Sequence, residues 1–254
     1  MPVCLTPPEF RRRAPSLAVA WLLAALLAGC GGGGSAAPAT APAAVAPSVQ
    51  PGAWVVLGSS TAAGSGASNP ASAWTAGLAA NHAAHGVTLA NLAVGGSTTY
   101  EALPTGTAPV AGRPAVDGAH NTTAALALGP KLVLISFPTN DTALGYSVDE
   151  TVTNLLAMRS ALQAGGAAVV LLSTQPRDLS DVLLARLPQI DQRLSDAAGA
   201  CFVPVRAALA GSDGRLAPAY DSGDGVHPND AGHALILQRV EDRLAAGDCV
   251  QAPR

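Results

Sequence analysis

The stretch Ala53-Trp54-Val55-Val56-Leu57-Gly58-Ser59-Ser60 decides the fold. An apolar, β-branched run stopped by glycine and followed by hydroxyls has the length and character of a strand buried on both faces. Working outward, the same signature recurs over 87–94, 131–137, 167–173 and 201–205. Helical patterns fill the gaps over 71–84, 148–163 and 180–198, and a last one runs over 229–246. Buried strands alternating with helices predict βαβ units, an α/β fold with a mostly parallel five-stranded sheet. Such sheets bind ligands beyond the carboxyl ends of their strands. The first three strands end in Gly58-Ser59-Ser60, Gly95-Gly96-Ser97 and Thr139-Asn140-Asp141, so polar groups converge where a ligand would sit.

The flanks of this domain have a different character. Arg11, Arg12 and Arg13 precede an apolar run from Leu17 to Leu27, shorter than the ~20 residues that span a membrane. The run ends in Leu27-Ala28-Gly29-Cys30, which resembles the lipobox of bacterial lipoproteins. That resemblance implies a signal peptide over 1–29 and lipidation of Cys30, hence a membrane as partner. Gly, Ala, Pro and Ser dominate residues 30–52, which read as an extended tether, leaving 53–254 as the domain. Gly31 carries no acidic retention signal, which points to the outer membrane of the cell envelope rather than the inner one. Cys201 and Cys249 remain as a disulfide pair suited to an oxidising compartment, or as two buried thiols.

The 254 residues are 49% hydrophobic and 12% charged, which excludes a disordered chain. The formal charge is −3, and −5 once the signal segment with its three arginines and Glu9 is gone. No basic excess exists to hold nucleic acid.

A serine hydroxyl becomes nucleophilic when a base takes its proton, and the base works best when a third group orients it. Ser60 follows the first strand, and Ala62, Ala63 and Gly64 let the backbone turn tightly behind it. Asp224 and His227, three residues apart at a turn into the last helix, can face one side: Asp224 holds His227 or fixes its tautomer while His227 reaches Ser60. Gly96, or Gly95, offers a backbone N–H and Asn140 an amide for a developing oxyanion. Each residue alone reads equally as a turn serine, a capping aspartate or a turn glycine.

Together they read differently. Gly58-Ser59-Ser60-Thr61, Asn91-Leu-Ala-Val-Gly-Gly96, Pro138-Thr-Asn140-Asp141 and Asp224-Gly-Val-His227-Pro228 stand in the order of the four blocks of SGNH (GDSL-type) hydrolases, which the chain resembles over about 53–246. The resemblance implies a flavodoxin-like, three-layer α/β/α sandwich and ester hydrolysis through an acyl-enzyme. It implies Ser60 as nucleophile, His227 as base and Asp224 as its orienter. Ser60, Gly96 and Asn140 become the oxyanion hole, with no cofactor and no metal. Two positions depart from the family pattern: Ser59 stands where an Asp is usual and Pro138 where a Gly is usual. The expected substrate is a small or medium acyl ester. A carbohydrate O-acetylesterase or transacylase acting on envelope polysaccharide is the alternative, and a non-catalytic envelope binding protein on the same fold is a third reading. His82 and His85 have metal-ligand spacing but no acidic neighbour in sequence, and read as solvated histidines. Gly58–Gly66 lacks the Gly-Lys-Ser/Thr of a phosphate cradle, and Gly58-Ser59-Ser60-Thr61-Ala62 is not the Gly-Xaa-Ser-Xaa-Gly elbow of an α/β-hydrolase.

Overall fold

The structure is a computed structural model and describes residues 50–249. The expected signal peptide, Cys30 and nearly all of the expected tether lie outside the described residues. Five parallel strands, β1 (Gly52–Gly58), β2 (Val87–Asn91), β3 (Leu132–Ser136), β4 (Ala168–Leu172) and β5 (Phe202–Val203), form one sheet in the order β2-β1-β3-β4-β5. The helices are α1 (Ser60–Ala63), α2 (Trp74–Ala83), α3 (Thr122–Ala127), α4 (Asn140–Ala143), α5 (Val148–Ala164), α6 (Asp181–Leu184), α7 (Leu187–Ala198), α8 (Arg206–Leu209) and α9 (Asp230–Ala246).

Alternation along each strand explains why the strands read as unbroken apolar runs. Val55, Leu57, Val133, Ile135, Val169 and Leu171 point to one face, against Leu155, Met158 and Leu162 of α5 and Ile190 and Leu194 of α7. Trp54, Val56, Leu132, Leu134, Val170 and Leu172 point to the other, against Trp74 and Leu78 of α2 and Ile236, Val240 and Leu244 of α9. Side chains of period two thus feed two cores, which makes the three-layer sandwich. The chain leaves β1 for β2 on one side and crosses back to β3 on the other. The carboxyl ends of β1 and β3 therefore adjoin at the topological switch point, the natural place for a site.

Several expected boundaries are corrected. β1 begins at Gly52, the last residue given to the tether. β2 as a regular strand stops at Asn91 instead of 94, where the Asn91 carboxamide oxygen takes the Ala93 N–H (3.0 Å), although the Leu92 and Val94 N–H groups still donate to the Val56 and Gly58 carbonyls of β1 (2.9 and 3.1 Å). The helix expected over 180–198 is two, α6 and α7. Pro188, with no N–H and a ring that collides with the preceding turn, forbids the continuous form. β5 is cut short by Pro204 for the same lack of a donor. His82 is buried, with its ring 4.7 Å from that of Trp54 and Nε2 2.9 Å from Glu241, so it is not a solvated histidine; His85 lies exposed beyond the helix end.

Cys201 and Cys249 are joined by a disulfide, which ties the end of α9 to the entrance of β5.

The segment between β2 and α3 is anchored by Glu150. Its carboxylate accepts from Arg113 Nε (2.7 Å) and from the Tyr100 hydroxyl (2.9 Å), and forms a capping box with Ser147. The Ser147 N–H, with help from Arg113 and Tyr100, holds its pKa down at about 2 against an ordinary 4.5. A depressed carboxyl contributes stability that is fully present above about pH 4.5 and is lost as pH falls toward about 2. Glu150→Gln is therefore expected to lower the melting temperature at neutral pH, and the gap to wild type to close as pH is lowered through that window. A gap that stays constant with pH would contradict this.

Candidate active site

Gly58 closes β1 where no side chain fits: a Cβ there would lie 2.6 Å from the Ser136 carbonyl oxygen and 2.7 Å from the Ala62 Cβ. The chain then turns abruptly into α1, with Ser59 as N-cap and Ser60 as the first helical residue. A first-turn N–H has no partner within its helix, so the Ser60 N–H is left available beside its own hydroxyl.

The opposing group arrives from the turn before α9. The Asp224 Oδ1 accepts the N–H groups of Val226 and His227 (both 2.8 Å), folding the four-residue segment on itself. Its Oδ2 lies 2.6 Å from His227 Nδ1, and His227 Nε2 lies 2.9 Å from Ser60 Oγ. An ionised carboxylate only accepts, so Nδ1 carries the ring proton and Nε2 is left to accept from the serine hydroxyl. Burial pushes the Asp224 carboxyl up, but the N–H groups of His227 and Val226 and the His227 ring outweigh it. They hold it well below the usual carboxylate range.

Gly66 lets the two halves meet. It has φ +90°, and a Cβ on it would lie 2.2 Å from the Pro228 carbonyl oxygen and 2.8 Å from the His227 Cβ. His233, fully buried in α9, adds a second tie: it accepts the Trp74 N–H (3.3 Å) and donates to the Ser65 carbonyl (3.0 Å).

Asn140 opens α4 directly beyond β3. One N–H of its amide donates to the Ser97 carbonyl (2.8 Å), which aims the side chain at the Gly95–Gly96 turn and leaves the second N–H for a ligand. The buried Asp141 carboxylate fixes that turn from behind by accepting the Thr99 N–H (2.9 Å) and hydroxyl. Gly95 and Gly96 are both exposed, Gly96 at φ +84°. A Cβ built on Gly95 would lie 3.9 Å from Ser60 Cβ, so this turn packs beside the serine, whereas the space around Gly96 is open. Ser60, Gly95–Gly96, Asn140, Asp224 and His227 thus gather at one edge of the sheet. Of the two departures from the family pattern, Ser59 is buried with its hydroxyl unpartnered among the described residues, and Pro138 is buried in the turn between β3 and α4.

Two residues of this edge escaped the sequence reading, both just beyond β4. Gln175, 2% exposed, accepts from the Thr61 hydroxyl (2.9 Å) and donates to the Val226 carbonyl (2.8 Å), so one amide clamps the serine turn to the histidine turn. Arg177 places Nη1 3.4 Å from the Asn140 carboxamide oxygen. Their one local signal is their place just beyond the carboxyl end of a buried strand, which marks the edge they lie on but not their partners. Gln175→Leu leaves a hydroxyl and a carbonyl without partners. It is expected to cost about 1–3 kcal/mol of stability, read by urea unfolding, and to lower kcat about tenfold with little change in KM. Unchanged kcat would show that the clamp positions nothing.

The sequence profile of the GDSL-like Lipase/Acylhydrolase family matches residues 56–235, well over half of the chain. The chain belongs to this family. Its GDSL-type blocks are the segments that the fold has gathered at the carboxyl edge of the sheet, which makes the protein a GDSL/SGNH-type hydrolase. No curated protein matches it significantly. Among solved structures, TesA is similar at 22% identity, with 76% of this chain and 97% of that one covered and a TM-score of 0.58. A variant of Axe2, an acetyl-xylooligosaccharide esterase from Geobacillus stearmophilus, aligns at 17% identity over 80% and 97% of the two chains, TM-score 0.57. A carbohydrate esterase family 3 protein from Talaromyces cellulolyticus aligns at 16% over 76% and 95%, TM-score 0.55. At these identities the likeness supports a common GDSL fold and nothing finer.

Proposed function

We propose that this GDSL-type domain hydrolyses small or medium acyl esters through an acyl-enzyme on Ser60. The observation that carries the reading is the unbroken relay Asp224–His227–Ser60, with contacts of 2.6 and 2.9 Å. As His227 takes the hydroxyl proton, Ser60 Oγ attacks the ester carbonyl. The Asp224 carboxylate stabilises the imidazolium, and the N–H groups of Ser60, Gly96 and Asn140 receive the oxyanion. Collapse of the tetrahedral species expels the alcohol, protonated by His227, and water then enters by the same route to release the acid. Leu144, exposed one turn beyond Asn140, offers apolar contact to a short or medium acyl chain. Turnover of p-nitrophenyl esters from acetate to octanoate tests the reading and its chain-length range. A folded protein inactive on the whole series would overturn it.

O-acetylated envelope polysaccharide is the second reading. Gly95, Gly96, Ser222, Gly223 and Asp224 are all exposed around Ser60, an open polar rim that a sugar chain can lie across. The carbohydrate esterases named above share the fold. Acetate release from acetylated xylan, and transfer to added sugar acceptors, separate hydrolase from transacylase. Anchoring through Cys30 in the bacterial envelope, facing the periplasm or the surface, completes the proposal. It rests on the lipobox resemblance and predicts that Cys30→Ala abolishes incorporation of labelled fatty acid.

A further inference from the structure

We propose that Arg177 selects esters bearing an anionic group, a carboxylate, sulfate or phosphate, a few atoms from the scissile carbonyl. The inference rests on Ser60 being the nucleophile.

Arg177 leaves β4 beside the groups that face the reacting carbonyl: its Nη1 is 3.4 Å from the Asn140 carboxamide oxygen, while the amide nitrogen of the same side chain faces the Ser97 turn. The guanidinium is partly buried, and burial lowers its pKa, opposed only by the charge of Asp224. A guanidinium nonetheless stays charged at any working pH. Half-burying a cation is costly unless a counter-charge meets it, and here Asp224 acts on it only at a distance. Among the described residues Arg177 has no ion-paired carboxylate, and its buried Nε has no acceptor at all. The acids around the mouth are committed elsewhere. Asp224 holds His227, and Asp178 and Asp181 hold Arg215 at 3.2 and 2.9 Å.

A second cation flanks the same helix. Arg186 donates to the Gly145 and Tyr146 carbonyls just past α4, again with no carboxylate among the described residues. In a chain of net charge −3 these are not part of a generally basic surface. Orienting Asn140 needs only a neutral donor, and a long bond to a neutral oxygen does not offset a buried charge. The planar fork of N–H groups instead matches an oxyanionic ligand.

The test compares two pairs of esters, each rate divided by spontaneous hydrolysis. The p-nitrophenyl monoester of adipic acid against p-nitrophenyl hexanoate places the anion on the acyl side. Para-acetoxybenzoate against its methyl ester places it on the leaving group. In the wild type, one pair is expected to favour the anion in kcat/KM by roughly 10- to 100-fold, and the preference to shrink with added salt. The ratio should collapse in Arg177→Met and in Arg177→Gln, which keeps a donor for Asn140, and survive in part in Arg177→Lys. Absence of anion preference in both wild-type pairs overturns the proposal, and so does a preference that persists in Arg177→Met or Arg177→Gln. Should either variant fold poorly, the wild-type ratio and its salt dependence still decide. Neutral esters turned over without preference sink only the role of Arg177. Failure of all four esters to exceed a Ser60→Ala blank sinks the nucleophile reading and this inference with it.

Discussion

Ser60→Ala is expected to lower kcat/KM on p-nitrophenyl acetate by about 10⁴- to 10⁶-fold, with the melting temperature nearly unmoved. Among the described residues the hydroxyl makes one side-chain hydrogen bond, to His227 Nε2, and that nitrogen can turn to water when the partner goes. Ser60 is only partly buried at the first position of a helix, where alanine is well tolerated, so nothing in the core is disturbed. His227→Ala should cost about as much, and the double variant hardly more than either single one, because the two side chains act as a unit. Additive losses, or a Ser60→Ala enzyme that keeps a tenth of the rate, would place the chemistry on another residue.

Asp224→Asn is the second large effect, a loss of about 10³- to 10⁴-fold in kcat. The substitution keeps an oxygen for the Val226 and His227 N–H groups, so the turn persists. What changes is the partner of Nδ1. An amide N–H facing that nitrogen forces the ring proton to Nε2, where it meets the Ser60 hydroxyl donor to donor and removes the base. Because the native carboxyl is held far below the usual range, it remains charged as pH falls. Labelling of Ser60 by a p-nitrophenyl phosphonate should slow in parallel with turnover. Fast labelling with slow turnover would instead confine Asp224 to the deacylation half.

Much of this is legible in the sequence. Strands of uniform apolar character, stopped by glycine and followed by hydroxyls or amides, announce a parallel sheet with its site at one edge, and Ser60, Asn140, Asp224 and His227 stand there. What escaped has physical causes. Helices of four to six residues, such as α1, α3, α4 and α8, barely complete a turn and leave no periodicity to detect. Pro188 was visible, yet the amphipathic pattern on both sides of it masked the break between α6 and α7. The burial of His82 depends on Glu241 and Trp54, partners remote in sequence. Gln175 and Arg177 owe their roles to Thr61, Val226 and Asn140, and no local spacing encodes a contact across that distance.

The covalent ring closed by Cys201 and Cys249 encloses Asp224 and His227 and leaves Ser60 outside. A protease that cuts the exposed Ser222–Gly223 turn therefore frees nothing: the fragment bearing the acid–base pair remains fastened to the fragment bearing the nucleophile. Only reductant parts them. In a compartment rich in proteases and poor in thiols, the nicked enzyme is still a single molecule.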